Sequence, residues 1–156
     1  MVAPVEVVIN TDGGARGNPG PAAIGAVITT ASGRKLAEVS EAIGPATNNV
    51  AEYTAVIRAL ERAAEIGAKR VTLRSDSLLL VEQLRGVYKV KNPTLVRLHG
   101  EVRALARGFD SINFEHVRRE QNKKADRLVN VALDAWVSEH GDEIVPAPDA
   151  KPTLFD

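Results

Sequence analysis

The stretch "INTDGGARGNPGPAAIG", Ile9–Gly25, decides how the rest of the chain is read. An aspartate closes a β-branched run, "VEVVINT" (Val5–Thr11), that reads as a strand. Gly13, Gly14, Gly17, Pro19 and Gly20 then supply turn chemistry, and "AAIGAVITT" (Ala22–Thr30) reads as a second strand. Asp12 therefore either helps the chain turn or is held at a strand end to do work.

Working outward, Ala31-Ser32-Gly33 turns the chain into a third strand, Lys35–Ile43. The apolar period then changes. From Asn49 to Ile66, Tyr53, Val56, Ile57, Leu60 and Ala64 recur at helical spacing, and Gly67 stands where a C-terminal cap belongs. Arg70–Arg74 reads as a short strand, Ser77–Gly86 as a short helix, and Pro93 opens a helix to about Arg107. Ser111–Val117 alternates as a strand, and Asn122–His140 is the last helix, with Ala125, Leu128, Val129, Ala132 and Trp136 on its apolar side. Tyr53, Phe114 and Trp136 are expected in the core. Hairpins followed by strand–helix alternation predict an α/β domain, a mixed sheet with helices packed on it. The domain is expected over residues 1–140. Residues 141–156, "GDEIVPAPDAKPTLFD", read as a Pro-rich tail or linker.

Bulk composition narrows the classes. The 156 residues are 44% hydrophobic, enough for one domain with its own core. No apolar run approaches the roughly 18 residues of a membrane span, and no basic flank leads into an apolar N-terminal run, so neither membrane association nor a signal peptide is expected. Cysteine is absent, which removes disulfides and thiolate metal sites and fits a cytoplasmic location. Twenty basic and twenty acidic residues cancel. Locally they do not: Arg97–Arg127 carries eight basic side chains against five acidic ones.

Four carboxylates fall away from solvated helix faces. Asp12 ends the first strand and Asp76 follows the fourth. Glu52 and Asp126 lie in the first turns of two helices. Strand ends and helix N-termini are where open α/β sheets place their sites. Taken singly, each acid has an ordinary reading as a turn or cap residue; the joint placement carries the functional one. Two charges about 4 Å apart repel by roughly 4 kcal/mol at intermediate dielectric, so a cluster of four needs raised pKa values or bound cations. Oxygen donors without His or Cys point to Mg²⁺ or Mn²⁺, and two such ions clamp an in-line phosphoryl displacement.

These segments, "TDGGARGNPGPAAIG", "TNNVAEYTAVIRAL", "LRSDS" and "NKKADRL", resemble type 1 ribonuclease H in order, spacing and surrounding elements, over about Val5 to Glu139. The likeness is to compact bacterial and archaeal members. It implies the ribonuclease H-like fold: a five-stranded mixed sheet, its first three strands antiparallel, flanked by helices. It implies endonucleolytic hydrolysis of the RNA strand of RNA–DNA hybrids by a two-metal-ion mechanism, leaving 5′-phosphate and 3′-hydroxyl ends. Asp12, Glu52, Asp76 and Asp126 match the catalytic, metal-binding carboxylates, taking two Mg²⁺ or Mn²⁺ ions. Gly13, Asn18, Asn48 and Asn49 match substrate-binding positions, and Thr47 matches part of a phosphate pocket. Amides suit 2′-hydroxyls and minor-groove edges, although Asn48-Asn49 could instead cap the helix that follows. Lys123 is placed to meet a phosphate.

The chain also departs from the pattern. Relatives use a histidine or an arginine before the last aspartate. Arg119 matches the arginine and is favoured over His116, whose surroundings lack the glycines of a mobile loop. Leu78 replaces a substrate-touching glutamine. "RGVYKVKNP" (Arg85–Pro93) replaces a longer basic handle, and no separate hybrid-binding module is expected before Val5. Weaker binding and a milder salt slope are expected. The resemblance leaves double-stranded RNA open as a second substrate. Leu154 and Phe155 suggest three fates for the tail: docking on the domain, a short linear motif for a partner, or a junction to a further domain. A non-catalytic hybrid-binding module, a junction resolvase and a phosphate-binding ATPase are the competing readings. Retention of all four acids, the "TNN" amides and the lack of a second glycine-rich phosphate loop weigh against them in turn.

Overall fold

A computed structural model describes residues 5–141. The tail expected from 141 onward lies, after Gly141, outside the described residues. Five strands form one sheet in the order β3-β2-β1-β4-β5. They are β1 (Glu6–Ala15), β2 (Gly20–Thr30), β3 (Lys35–Ala46), β4 (Arg70–Ser75) and β5 (Ser111–His116). The first three are antiparallel, whereas β4 runs parallel to both β1 and β5. The mixed sheet expected from the sequence is therefore present.

One expectation fails at the opening stretch. β1 does not end at Asp12 but continues to Ala15, with Asp12 opposite Gly25, Gly13 opposite Ile24 and Gly14 opposite Ala23. Gly13 and Gly14 are strand residues, and the turn is confined to residues 16–19. Gly13 is glycine because a helix lies against it. A Cβ there would sit 2.4 Å from the Ala51 carbonyl and 2.7 Å from the Glu52 nitrogen. The two ladders of β1 also stop at different places. Pairing with β4 ends at Thr11–Ser75, while pairing with β2 runs on to Ala15–Ala22. Asp12 is thus the first residue of β1 with its β4 side open.

Four helices cover the sheet: α1 (Asn48–Ile66), α2 (Leu78–Leu84), α3 (Pro93–Ala106) and α4 (Lys123–His140). α1 is closed by Gly67 in the left-handed region, φ 93°, as a glycine cap requires. α3 starts with Pro93 behind Asn92, whose side chain accepts from the Thr94 and Leu95 amides. The main core lies between the sheet and α1–α3, around Ile9, Ile28, Tyr53, Leu60, Leu73 and Val102. α4 packs separately through Val129, Ala132 and Leu133 against Ala23 of β2. Gly25 lets it approach: a Cβ there would meet the Ala125 carbonyl at 2.4 Å. Trp136, expected in the core, lies beyond this buried stripe. It is half-buried and stacks on His140 at 4.3 Å. Phe114 packs on the margin of the core. Among the described residues no helix is long and apolar enough to cross a membrane.

Candidate active site

Four elements deliver one carboxylate each to one cleft. Asp12 projects from β1 where β4 has ended, and Asp76 is the residue after β4. Glu52 lies in the first turns of α1, and Asp126 in the first turn of α4. All four line a cleft of about 470 Å³, together with Gly13, Arg16, Asn48, Arg119 and Asn130.

The electrostatics follow from crowding. Burial, then the charge of Asp76, then a hydrogen bond and charge from Asp126 push Asp12 from 3.8 up to about 8. Burial and Asp76 push Glu52 up to about 7, against a hydrogen bond from the Ser77 hydroxyl that favours its charged form. Arg16 and Arg119 face the same cleft without cancelling this crowding. The cleft holds more negative charge than it can keep ionised alone, and its acidic donors are all hard carboxylate oxygens; both properties fit Mg²⁺ or Mn²⁺. Among the described residues no three acids or histidines are already drawn into a closed ligand set. The carboxylates share an open cleft.

The residues expected around the acids divide. Arg119, on a single 3₁₀ turn at Arg119–Gln121, lines the cleft. His116 is exposed at the end of β5 and is not part of the lining. The hydroxyl of Thr47, not an asparagine, caps α1 by accepting from the Val50 amide at 3.2 Å. Asn48 is used otherwise: its Oδ1 accepts from the Ala15 amide at 2.8 Å, and its own amide donates to Asn18 Oδ1 at 3.0 Å. These bonds fasten the start of α1 to the end of β1, and so fasten Glu52 beside Asp12. Asn49 faces away from the cleft into a larger groove of about 720 Å³, bounded by Leu79, Val87, Tyr88, Lys89 and Lys91. Lys123 lies apart, beside Asn10 and Val27. Arg16, Ser77 and Asn122 escaped the sequence reading. Arg16 stands in a turn-rich stretch and Ser77 looks like a plain helix cap, so neither carried a signal.

A strand-borne aspartate in the middle of a mixed sheet, with three further acids brought to it by two helices and a neighbouring strand end, defines a class. A family model described as reverse transcriptase-like matches residues 10–132. The chain belongs to the ribonuclease H family, as a compact type 1 member. It is 49% identical over 144 residues to the bifunctional protein Rv2228c of Mycobacterium tuberculosis, covering 92% of this chain and 40% of that protein. The crystal structure of RNase H1 from Halobacterium salinarum superposes with a TM-score of 0.82 at 46% identity, covering 83% of this chain and 98% of that one. LC11-RNase H1, solved in complex with an RNA/DNA hybrid, gives 0.81 at 48% identity over 84% and 99% of the two chains.

Proposed function

We propose that this chain cuts the RNA strand of RNA–DNA hybrids, leaving 5′-phosphate and 3′-hydroxyl ends, with Asp12, Glu52, Asp76 and Asp126 holding two Mg²⁺ or Mn²⁺ ions. One observation carries the reading: four carboxylates from four elements line one cleft, and two of them, Asp12 and Glu52, are pushed toward neutrality by burial and by neighbouring acids. The solved complex of LC11-RNase H1 with hybrid supports the choice of substrate. When bound, the two ions supply an activated water for attack and charge neutralisation at the leaving 3′ oxygen.

The chain's own groups do the rest. Asp12, held between β2 and the end of the β4 ladder, is central to the cluster and would be among the carboxylates that hold the ions. Gly13 has no side chain, so α1 approaches and brings Glu52 with it. Arg119 has no acceptor and cannot take a proton; its guanidinium contacts the scissile phosphate or helps release a metal ion. Asn48 faces the cleft while Asn49 faces the neighbouring groove. The start of α1 therefore stands between the two, and the hybrid lies across it. Amides there read 2′-hydroxyls and groove edges without sequence preference.

The test is cleavage of labelled RNA–DNA hybrid, double-stranded RNA and double-stranded DNA, each with Mg²⁺, Mn²⁺ or chelator. Metal-dependent cutting of the RNA strand, with the hybrid preferred, is expected. Asp12→Asn should lose roughly 10²–10³-fold or more in kcat, the scale of removing one major electrostatic element of an active site. A variant that cuts like the parent would refute the metal assignment.

A further inference from the structure

Asn122 precedes α4 and is 1% exposed, among the largest fully buried side chains of the described residues. An asparagine at that position ordinarily caps the helix through its side chain. Here the side chain makes no capping bond. It turns inward to the sheet. Nδ2 donates to the Thr11 carbonyl at 2.8 Å and to Asp76 Oδ2 at 3.3 Å, and Oδ1 accepts from Asn10 Nδ2 at 3.1 Å. The amide orientation follows from its partners. Rotated by half a turn, Oδ1 would face a carbonyl and a carboxylate, and Nδ2 would face another donor. The Asn122 carbonyl accepts from the Asp126 amide at 3.1 Å.

These bonds reach three of the four carboxylates. One is made to Asp76 directly. One is made to the carbonyl of the residue before Asp12, at the point where β4 stops pairing with β1. One sets the first turn of α4, which carries Asp126. Glu52 is outside this set, on α1.

We infer that Asn122 is a positioning residue: its buried amide bonds to Thr11 at the last rung of the β4 ladder and to Asp76, and so ties Asp12 and Asp76 to the start of the helix that carries Asp126, in one spacing for the divalent ions. The inference rests on the proposed function, and it assigns Asn122 no contact with substrate. Loss of a group that orients metal-binding side chains costs about 10- to 100-fold in metal affinity or activity.

Asn122→Ala should therefore lower kcat about 10- to 100-fold at saturating Mg²⁺. The Mg²⁺ concentration that half-saturates amide chemical-shift changes in the cleft, measured without substrate, should rise by about tenfold or more. KM for hybrid should stay within about twofold, because nothing that touches the nucleic acid has changed. Val102→Ala, buried far from the cleft, serves as a control for lost stability and should change neither kcat nor the Mg²⁺ midpoint. Asn10→Ala keeps Asn122 but removes the donor that orients it; it should move both readings in the same direction by a few-fold, and it decides the matter if Asn122→Ala does not fold. A lowered Tm with kcat and Mg²⁺ midpoint within twofold of the parent, in Asn122→Ala or, failing that, in Asn10→Ala, would overturn the inference. Because Asp12→Asn is measured alongside, that result stays distinct from failure of the nuclease reading, in which Asp12→Asn itself would be active.

Discussion

The cleft and the groove lie on either side of the start of α1, and they are built in opposite ways. The cleft is polar, and its shape is set from below by buried groups: Thr11 and Asn122 are each 1% exposed. The groove is largely apolar and is closed by the α2–α3 connection, where Val87 is 63% and Tyr88 51% exposed. One region fixes the position of charges that repel. The other offers surface and two lysines, Lys89 and Lys91, on a segment with fewer buried contacts. Chemistry demands fixed geometry, whereas holding a nucleic acid demands area and positive charge. Changes in the cleft should therefore act on kcat, and changes in the groove on KM.

Gly13→Ala tests that division most severely. The new methyl meets α1 backbone, which has no flexible end to move aside. α1 must shift, carrying Glu52 away from Asp12. A misplacement of about 1 Å costs on the order of 10²-fold, so kcat should fall by about that much and Tm should fall as well. Parent-like kinetics would mean that the contact between β1 and α1 does not set the site.

Arg119→Ala and His116→Ala sharpen the edge of the cleft. Arg119 lines it and His116 does not. Steady-state rates should fall roughly tenfold for Arg119→Ala, the size of a lost charge-assisted contact, with little change for His116→Ala. A larger loss for His116 would place the assisting group on β5 instead.

On the groove side, Lys89→Ala with Lys91→Ala should weaken hybrid binding several-fold and leave kcat unchanged. The slope of log affinity against log salt should become shallower by about one for each phosphate contact removed. An unchanged slope would take the groove out of the substrate path.

The last test is of stability rather than rate. Asp12 binds its proton up to about 8 in the folded protein, against 3.8 in its ordinary state. The folded state therefore holds more protons than the unfolded one between those values. The contribution is fully present below pH 3.8 and is lost as pH rises toward about 8. In chelator, Tm of the parent should fall across that window more steeply than Tm of Asp12→Asn. Added Mg²⁺ should reduce the difference, because a cation favours the ionised carboxylates. Equal slopes for the two proteins would remove Asp12 as the source.

Much of this was legible in the sequence. The order of elements, the cap at Gly67 and the start at Pro93 follow from local spacing and end chemistry, whereas the four acids stood out only through their joint placement and the family resemblance. The course of β1 did not. Gly13 and Gly14 carry the composition of a turn, and the glycine at 13 is explained only by a helix that reaches it from 38 residues downstream, at Ala51. Asn122 was illegible for the same reason: an asparagine before a helix looks like a cap, and its actual partner at Thr11 is 111 residues away. The groove gathers residues from Asn49 to Leu95 with no common motif. Trp136 misled because an apolar helical stripe does not reveal where the surface beneath it stops.

The unequal ladders of β1 have a further consequence. β1 is the central strand, hydrogen-bonded on both sides up to Thr11 and on one side beyond it. The residue that gathers the acids therefore directly follows the segment expected to open last to solvent. Local openings that free lids and loops have no hinge here short of parting the sheet. Amide hydrogen exchange in Ile9–Thr11 should proceed only through global unfolding, and heating should abolish catalysis and melt the domain along a single curve.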